Sequence, residues 1–123
     1  MGLKELIPMM ETNNLEETIN FYEEVLGFKC VHKVAEDWAR LERDDVVIMF
    51  SMRFTQEEHP NTFLTGGLYI YTDTVDLLWT ELKEKMKVCY PIESFDYGMR
   101  EFAVYDCNDY LLQFGQDLSQ NLN

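Results

Sequence analysis

Residues 12–30 lie over residues 72–90 at an offset of sixty. A chain that repeats itself in this way builds two copies of one local plan, which restricts its folds more than any single motif does. Both segments open on capping residues, Thr12, Asn13 and Asn14 in the first and Thr72, Asp73 and Thr74 in the second. Their side-chain oxygens suit the unpaired N–H groups of a helix start, and Glu16, Glu17 and Asp76 suit its dipole. Apolar spacing then becomes helical: Leu15, Ile19, Tyr22 and Leu26, against Val75, Leu78, Trp79, Leu82 and Met86. Gly27 suits a left-handed cap on the first helix, and Lys83, Lys85 and Lys87 stand at the end of the second.

Each helix is flanked by strand-like runs. Leu6–Met10 and residues 68–72 precede them. Phe28–Val34, Trp38–Glu42 and Val46–Met52 follow the first; Lys87–Pro91, Arg100–Tyr105 and Tyr110–Gly115 follow the second. Asp44-Asp45 and Asp106-Cys107-Asn108-Asp109 supply turns. The expected fold is therefore α+β: two βαβββ repeats forming a curved mixed sheet with both helices on its convex side. The expectation is a single domain over residues 1–123. Repeat one covers about 3–52, a loop containing His59 covers 53–66, repeat two covers about 67–116, and residues 117–123 form a frayed tail.

Composition excludes several classes. At 46% hydrophobic and 14% aromatic the chain can bury a core, so disorder throughout is not expected. Its longest apolar runs, such as Val46–Phe50, hold about five residues, against the roughly 20 that span a bilayer. Met1-Gly2-Leu3-Lys4-Glu5 lacks the apolar core of a signal peptide, so a cytoplasmic protein is expected. A net charge of −13 opposes nucleic-acid and anionic-membrane partners and favours a cationic ligand; a merely solubilising acidic surface is the plainer reading. Cys30, Cys89 and Cys107 are odd in number and widely spaced, so neither a disulfide framework nor a structural zinc site is expected.

The run Asn14-Leu15-Glu16-Glu17-Thr18-Ile19-Asn20-Phe21-Tyr22, continuing to Val25-Leu26-Gly27-Phe28, resembles a signature of the vicinal oxygen chelate superfamily. The run from Gly98-Met99-Arg100-Glu101-Phe102 to Asp106, and on through Asn108-Asp109-Tyr110-Leu111-Leu112-Gln113-Phe114-Gly115, resembles its bleomycin-resistance and glyoxalase-like branch. Cys107 and Asp109 stand where that pattern has proline and glycine. The superfamily hosts lyases, dioxygenases, epimerases and plain binders, so activity has to come from the site.

The resemblance implies metal-ligand positions at Ile7, Met49, Gly67 (or Leu68) and Gln113. Isoleucine and glycine offer no side-chain donor, a thioether suits hard divalent ions poorly, and one amide oxygen does not hold a metal. No metal and no other cofactor is therefore expected. Neither His32 nor His59 belongs to an H-E-x-x-H motif, and no glycine-rich phosphate loop is visible.

Strand parity sends Val46, Ile48, Phe50, Leu68, Ile70, Tyr110, Leu112 and Phe114 under the helices. It sends Met49, Ser51, Tyr69, Tyr71, Leu111, Gln113 and Gly115 to the concave face. Counting back from the turns adds Trp38, Arg40, Arg100 and Phe102, an assignment that a β-bulge would reverse. The candidate ligand-binding set is Ile7, Trp38, Met49, Gly67, Tyr69, Tyr71, Arg100, Phe102 and Gln113. Aromatic rings there would stack on a planar ligand and Gln113 would orient it. Arg40 and Arg100 argue against a cation. The leading expectation is a metal-free binder that sequesters or carries an aromatic or amphipathic molecule. A homodimer is implied by the resemblance alone. The alternatives are a metal-dependent lyase or dioxygenase with other ligands, a metal-independent enzyme using a buried acid or tyrosine, and a structural dimer whose cup is filled.

Overall fold

A computed structural model describes residues 2–53, 62 and 64–121. His59 and most of the connecting loop lie outside the described residues. The chain divides into two compact units, residues 1–62 and 63–123, one for each repeat.

The first unit runs β1 (Met9–Thr12), α1 (Leu15–Glu24), β2 (Lys29–Val34), β3 (Trp38–Arg43) and β4 (Val46–Met52). Its sheet has the order β1-β4-β3-β2, with β1 parallel to β4 and the other pairs antiparallel. The second unit runs β5 (Gly67–Tyr71), α2 (Val75–Leu82), β6 (Lys87–Ser94), β7 (Met99–Tyr105) and β8 (Leu111–Asp117), with a 3-10 turn at Leu118–Asn121. Its order is β5-β8-β7-β6, again with one parallel pair, β5 with β8. The two βαβββ repeats are thus present, and hydrogen bonding closes a four-stranded mixed sheet within each.

Both helices begin where the capping residues predict. Asn14 Oδ1 accepts from the Glu17 N–H at 3.0 Å. Thr74 makes no such side-chain bond; Gln116 Oε1, from β8, accepts from the Val75 N–H at 3.1 Å instead. Gly27 takes φ +72° and ends the first helical segment as expected.

Each helix buries its apolar stripe on one face of its own sheet. In the first unit Tyr22 meets Phe28 and Phe50, with ring centroids 5.4 and 5.1 Å apart. Leu41 and Ile48 are cross-strand partners on this face, and both are buried. In the second unit Trp79 lies 5.2 Å from Phe102, which stacks on Phe114 at 5.3 Å. Val104 and Leu112 complete that cross-strand layer. Fully burying side chains of this size contributes roughly 1.5–3 kcal/mol each.

Three expected boundaries move. β1 begins at Met9 rather than Leu6, because Leu3 and Leu6 stay exposed and find no packing partner. β6 continues past Pro91 to Ser94, with register shifts between Val88 and Tyr90 and between Tyr90 and Glu93. It is an edge strand of its sheet, where a missing N–H is tolerated. Finally, β8 extends through Asp117, so the expected tail begins as ordered chain. The Asp117 carboxylate then accepts from Ser119 N at 2.9 Å and Ser119 Oγ at 2.6 Å.

Candidate functional site

The face of each sheet turned away from its helix follows from cross-strand register. In the first unit Trp38 pairs with Ser51 and Arg40 with Met49, so all four share that face, as parity predicts. Met9 stands beside Met49 in the parallel register, and His32 meets Trp38 edge to face at 5.4 Å. Arg40 is engaged by Glu42 at 2.7 Å.

In the second unit Tyr69 pairs with Gln113 and Tyr71 with Gly115 on the face turned away from α2. Arg100 and Phe102, expected there too, lie on the opposite face. Phe102 packs on Trp79, and the Arg100 guanidinium holds the Asp76 carboxylate of α2 at 2.9 Å. The physical reason is loop length. The β3–β4 connection spans residues 44–45, but the β7–β8 connection spans residues 106–110, an odd difference that reverses the parity of the count. Glu101 and Ala103 therefore hold the places of Trp38 and Arg40.

Glu101 is the feature that sequence reasoning missed. It is 2% exposed, on the strand between Arg100 and the buried run Phe102–Val104. Tyr69 donates to Glu101 Oε1 at 2.7 Å, and Tyr90 donates a short hydrogen bond to Oε2. Gln113 Nε2 donates to Tyr90 Oη at 3.0 Å. These phenols come from β5 and β6, the two outer strands of this sheet, so one carboxylate on β7 ties both to it. Among the described residues no lysine or arginine pairs with it.

Gly115 makes the arrangement sterically feasible. A Cβ there would come 2.7 Å from Tyr69 Cζ and closer still to its hydroxyl. Ring contacts extend the cluster: Tyr69 meets Tyr71 at 5.3 Å, and Phe95 stacks on Tyr97 at 5.4 Å. Tyr69, Tyr71 and Tyr97 nevertheless remain 38%, 73% and 65% exposed, so their rings are open to an incoming molecule.

Protonation follows from this packing. Burial is the largest single influence on Glu101 and raises its pKa, but the hydrogen bonds from Tyr90 and Tyr69, with the nearby Tyr97 hydroxyl, hold it below the ordinary glutamate value. Burial first, then the bond to Glu101, pushes Tyr90 up to about 12. Burial and then Glu101 raise Tyr69 as well. Near neutral pH the site is one carboxylate and neutral phenols. A buried acid tuned for proton transfer would have its pKa raised toward neutrality, and this one is moved the other way.

Of the four positions implied for a metal, only Gln113 and the Met49 thioether carry a donor side chain. Ile7 precedes β1 and is half-buried; Gly67 opens β5 against Leu111. Met49 lies beside Met9, and Gln113 is engaged with Tyr90. Among the described residues no three of His, Cys, Asp or Glu come together in a way that could hold a metal ion. A divalent ion does not fit this donor chemistry.

Comparison with known proteins agrees with the repeats. Residues 8–114 match the model of the Glyoxalase/Bleomycin resistance protein/Dioxygenase superfamily. The chain belongs to that superfamily. Among curated proteins no sequence matches this superfamily member. Solved structures do. The bleomycin-binding protein from bleomycin-producing Streptomyces verticillus, complexed with copper(II)-bleomycin, is 22% identical with a TM-score of 0.72, covering 93% of this chain and 96% of that one. A bleomycin resistance determinant encoded on the transposon Tn5 is 19% identical with a TM-score of 0.75, covering 94% and 98%. Lactoylglutathione lyase from Agrobacterium tumefaciens is 14% identical with a TM-score of 0.71, covering 94% and 95%. At these identities the likeness establishes the fold, which this glyoxalase-type chain shares with binders and a lyase alike.

Proposed function

We propose that this superfamily member is a metal-independent binding protein that takes up a small aromatic or amphipathic molecule. The observation that carries the reading is the open aromatic face of the second sheet. Tyr69 and Tyr71 offer exposed rings there, and Gln113 is aligned with them on the neighbouring strand. Rings of this kind stack on planar groups, and an amide beside them fixes orientation. On the corresponding face of the first sheet, Trp38 and Met49 offer one further ring and a deformable thioether. Two structural neighbours are a bleomycin-binding protein and a bleomycin resistance determinant, which supports ligand uptake. The reading includes a homodimer in the cytoplasm.

Titration calorimetry of chelator-treated protein against aromatic amphiphiles, with bleomycin among them, tests this. Saturable binding that added metal does not change is the expected result, with light scattering giving twice the chain mass. A flat response across the panel overturns binding. Stoichiometric Ni, Zn, Mn or Fe in the purified protein overturns metal independence and favours the superfamily's lyase or dioxygenase chemistry.

A further inference from the structure

Glu101 poses a problem that uptake of a neutral ligand leaves unanswered. A carboxylate 2% exposed normally has a cationic partner, because an ion withdrawn from water loses its hydration. Here its partners are phenols. Each phenol donates its hydroxyl to the anion, which pushes electron density back into the ring and strengthens the negative potential of the ring face. Tyr69 is polarised in this way and still open to solvent, and Tyr71 rests against it. Elsewhere on the same sheet face the arrangement has a small precedent. Lys87 Nζ lies 5.4 Å from the centroid of the Tyr105 ring.

We infer that the exposed rings of Tyr69 and Tyr71 beside the Glu101 carboxylate form a subsite for an organic cation of the substituted-ammonium class. The inference rests on the binding reading above and names the chemical class of its ligand. A quaternary ammonium group has low hydration and no N–H donors. It therefore gains from ring faces and a nearby anion without having to displace the phenol bonds. The net charge of −13 attracts such a cation from a distance. In the second unit Arg100, which would have opposed it, is turned to the other face and held by Asp76.

The test uses a matched pair of probes, (4-hydroxyphenyl)trimethylammonium and its neutral isostere 4-tert-butylphenol, by calorimetry on the full chain. The cation is expected to bind at least tenfold more tightly than the phenol. In Glu101→Gln the preference of cation over neutral probe is expected to fall below about threefold. Tyr71→Leu alters an exposed ring and leaves the buried cluster intact. It is expected to weaken the cation several-fold with an unchanged melting temperature, which covers the case of a Glu101 variant that misfolds. Equal binding of both probes overturns the cation subsite and leaves the binding reading standing. A cation preference that stays near tenfold in a folded Glu101→Gln, or a cation affinity unchanged in Tyr71→Leu, also overturns it. Binding of neither probe overturns it too, and the broader ligand panel then decides the binding reading separately.

Discussion

Glu101 sets the protonation chemistry of the site, and its effect on stability has a definite sign. Its folded pKa lies below the ordinary glutamate value, so its contribution is fully present above that value and is lost as pH falls through the depressed one. Tyr90 acts at the other end. Its folded pKa of about 12 exceeds the ordinary tyrosine value of about 10, so its contribution is complete below pH 10 and lost as pH rises toward 12. Thermal melting of the wild type is therefore expected to fall at both extremes, and Glu101→Gln is expected to lose the acid-side fall that this carboxylate causes. Circular dichroism melts from pH 3 to pH 11 check both limbs. Gly115→Ala forces Tyr69 off the carboxylate and is expected to cost about 1–3 kcal/mol, the range for leaving a charged buried acceptor short of a partner. The loss should shrink in a Tyr69→Leu background, as a double-mutant cycle with denaturant melts would show. Tyr69, Tyr71 and Gln113 were legible because strict alternation places them. Glu101 was not, although an acid next to the apolar run Phe102-Ala103-Val104 was a visible signal.

At the scale of elements, hairpin length decided what could be read. The two-residue turn at 44–45 keeps alternation in step, so Trp38 and Arg40 were placed correctly. The longer turn at 106–110 put Arg100 and Phe102 on the wrong side of the count. That turn keeps its left-handed residue even though aspartate stands at the position of the family's glycine. Asp109 takes φ 65°, and Asp106 Oδ1 fixes the loop by accepting from Asn108 N at 2.8 Å and Tyr110 N at 2.9 Å. Asp109→Val is expected to cost roughly 1–2 kcal/mol, since a β-branched residue tolerates positive φ worst, whereas Asp109→Gly should change stability far less. Chemical denaturation of the two variants measures the difference. Phe102 carries the seam between β7 and α2. Truncation to alanine is expected to cost about 3–5 kcal/mol, while Tyr97→Ala, on the exposed hairpin, should cost much less.

At the scale of the molecule, the sixty-residue offset carried the fold. Each repeat supplies one helix and four strands, and neither the cap positions nor the strand order needed information from outside the repeat. The chemistry was less legible because it depends on a difference between the repeats, Glu101 standing where Trp38 stands. The central claim is that a small molecule is taken up on the open face of the second sheet. Backbone amide shift mapping of chelator-treated protein with an aromatic probe tests it most directly. Saturable shifts concentrated at Tyr69, Tyr71, Tyr97, Glu101, Gln113 and Gly115 are the predicted result. Shifts centred on α2 and the Phe102 layer, or shifts that appear only when a divalent metal is added, would contradict it.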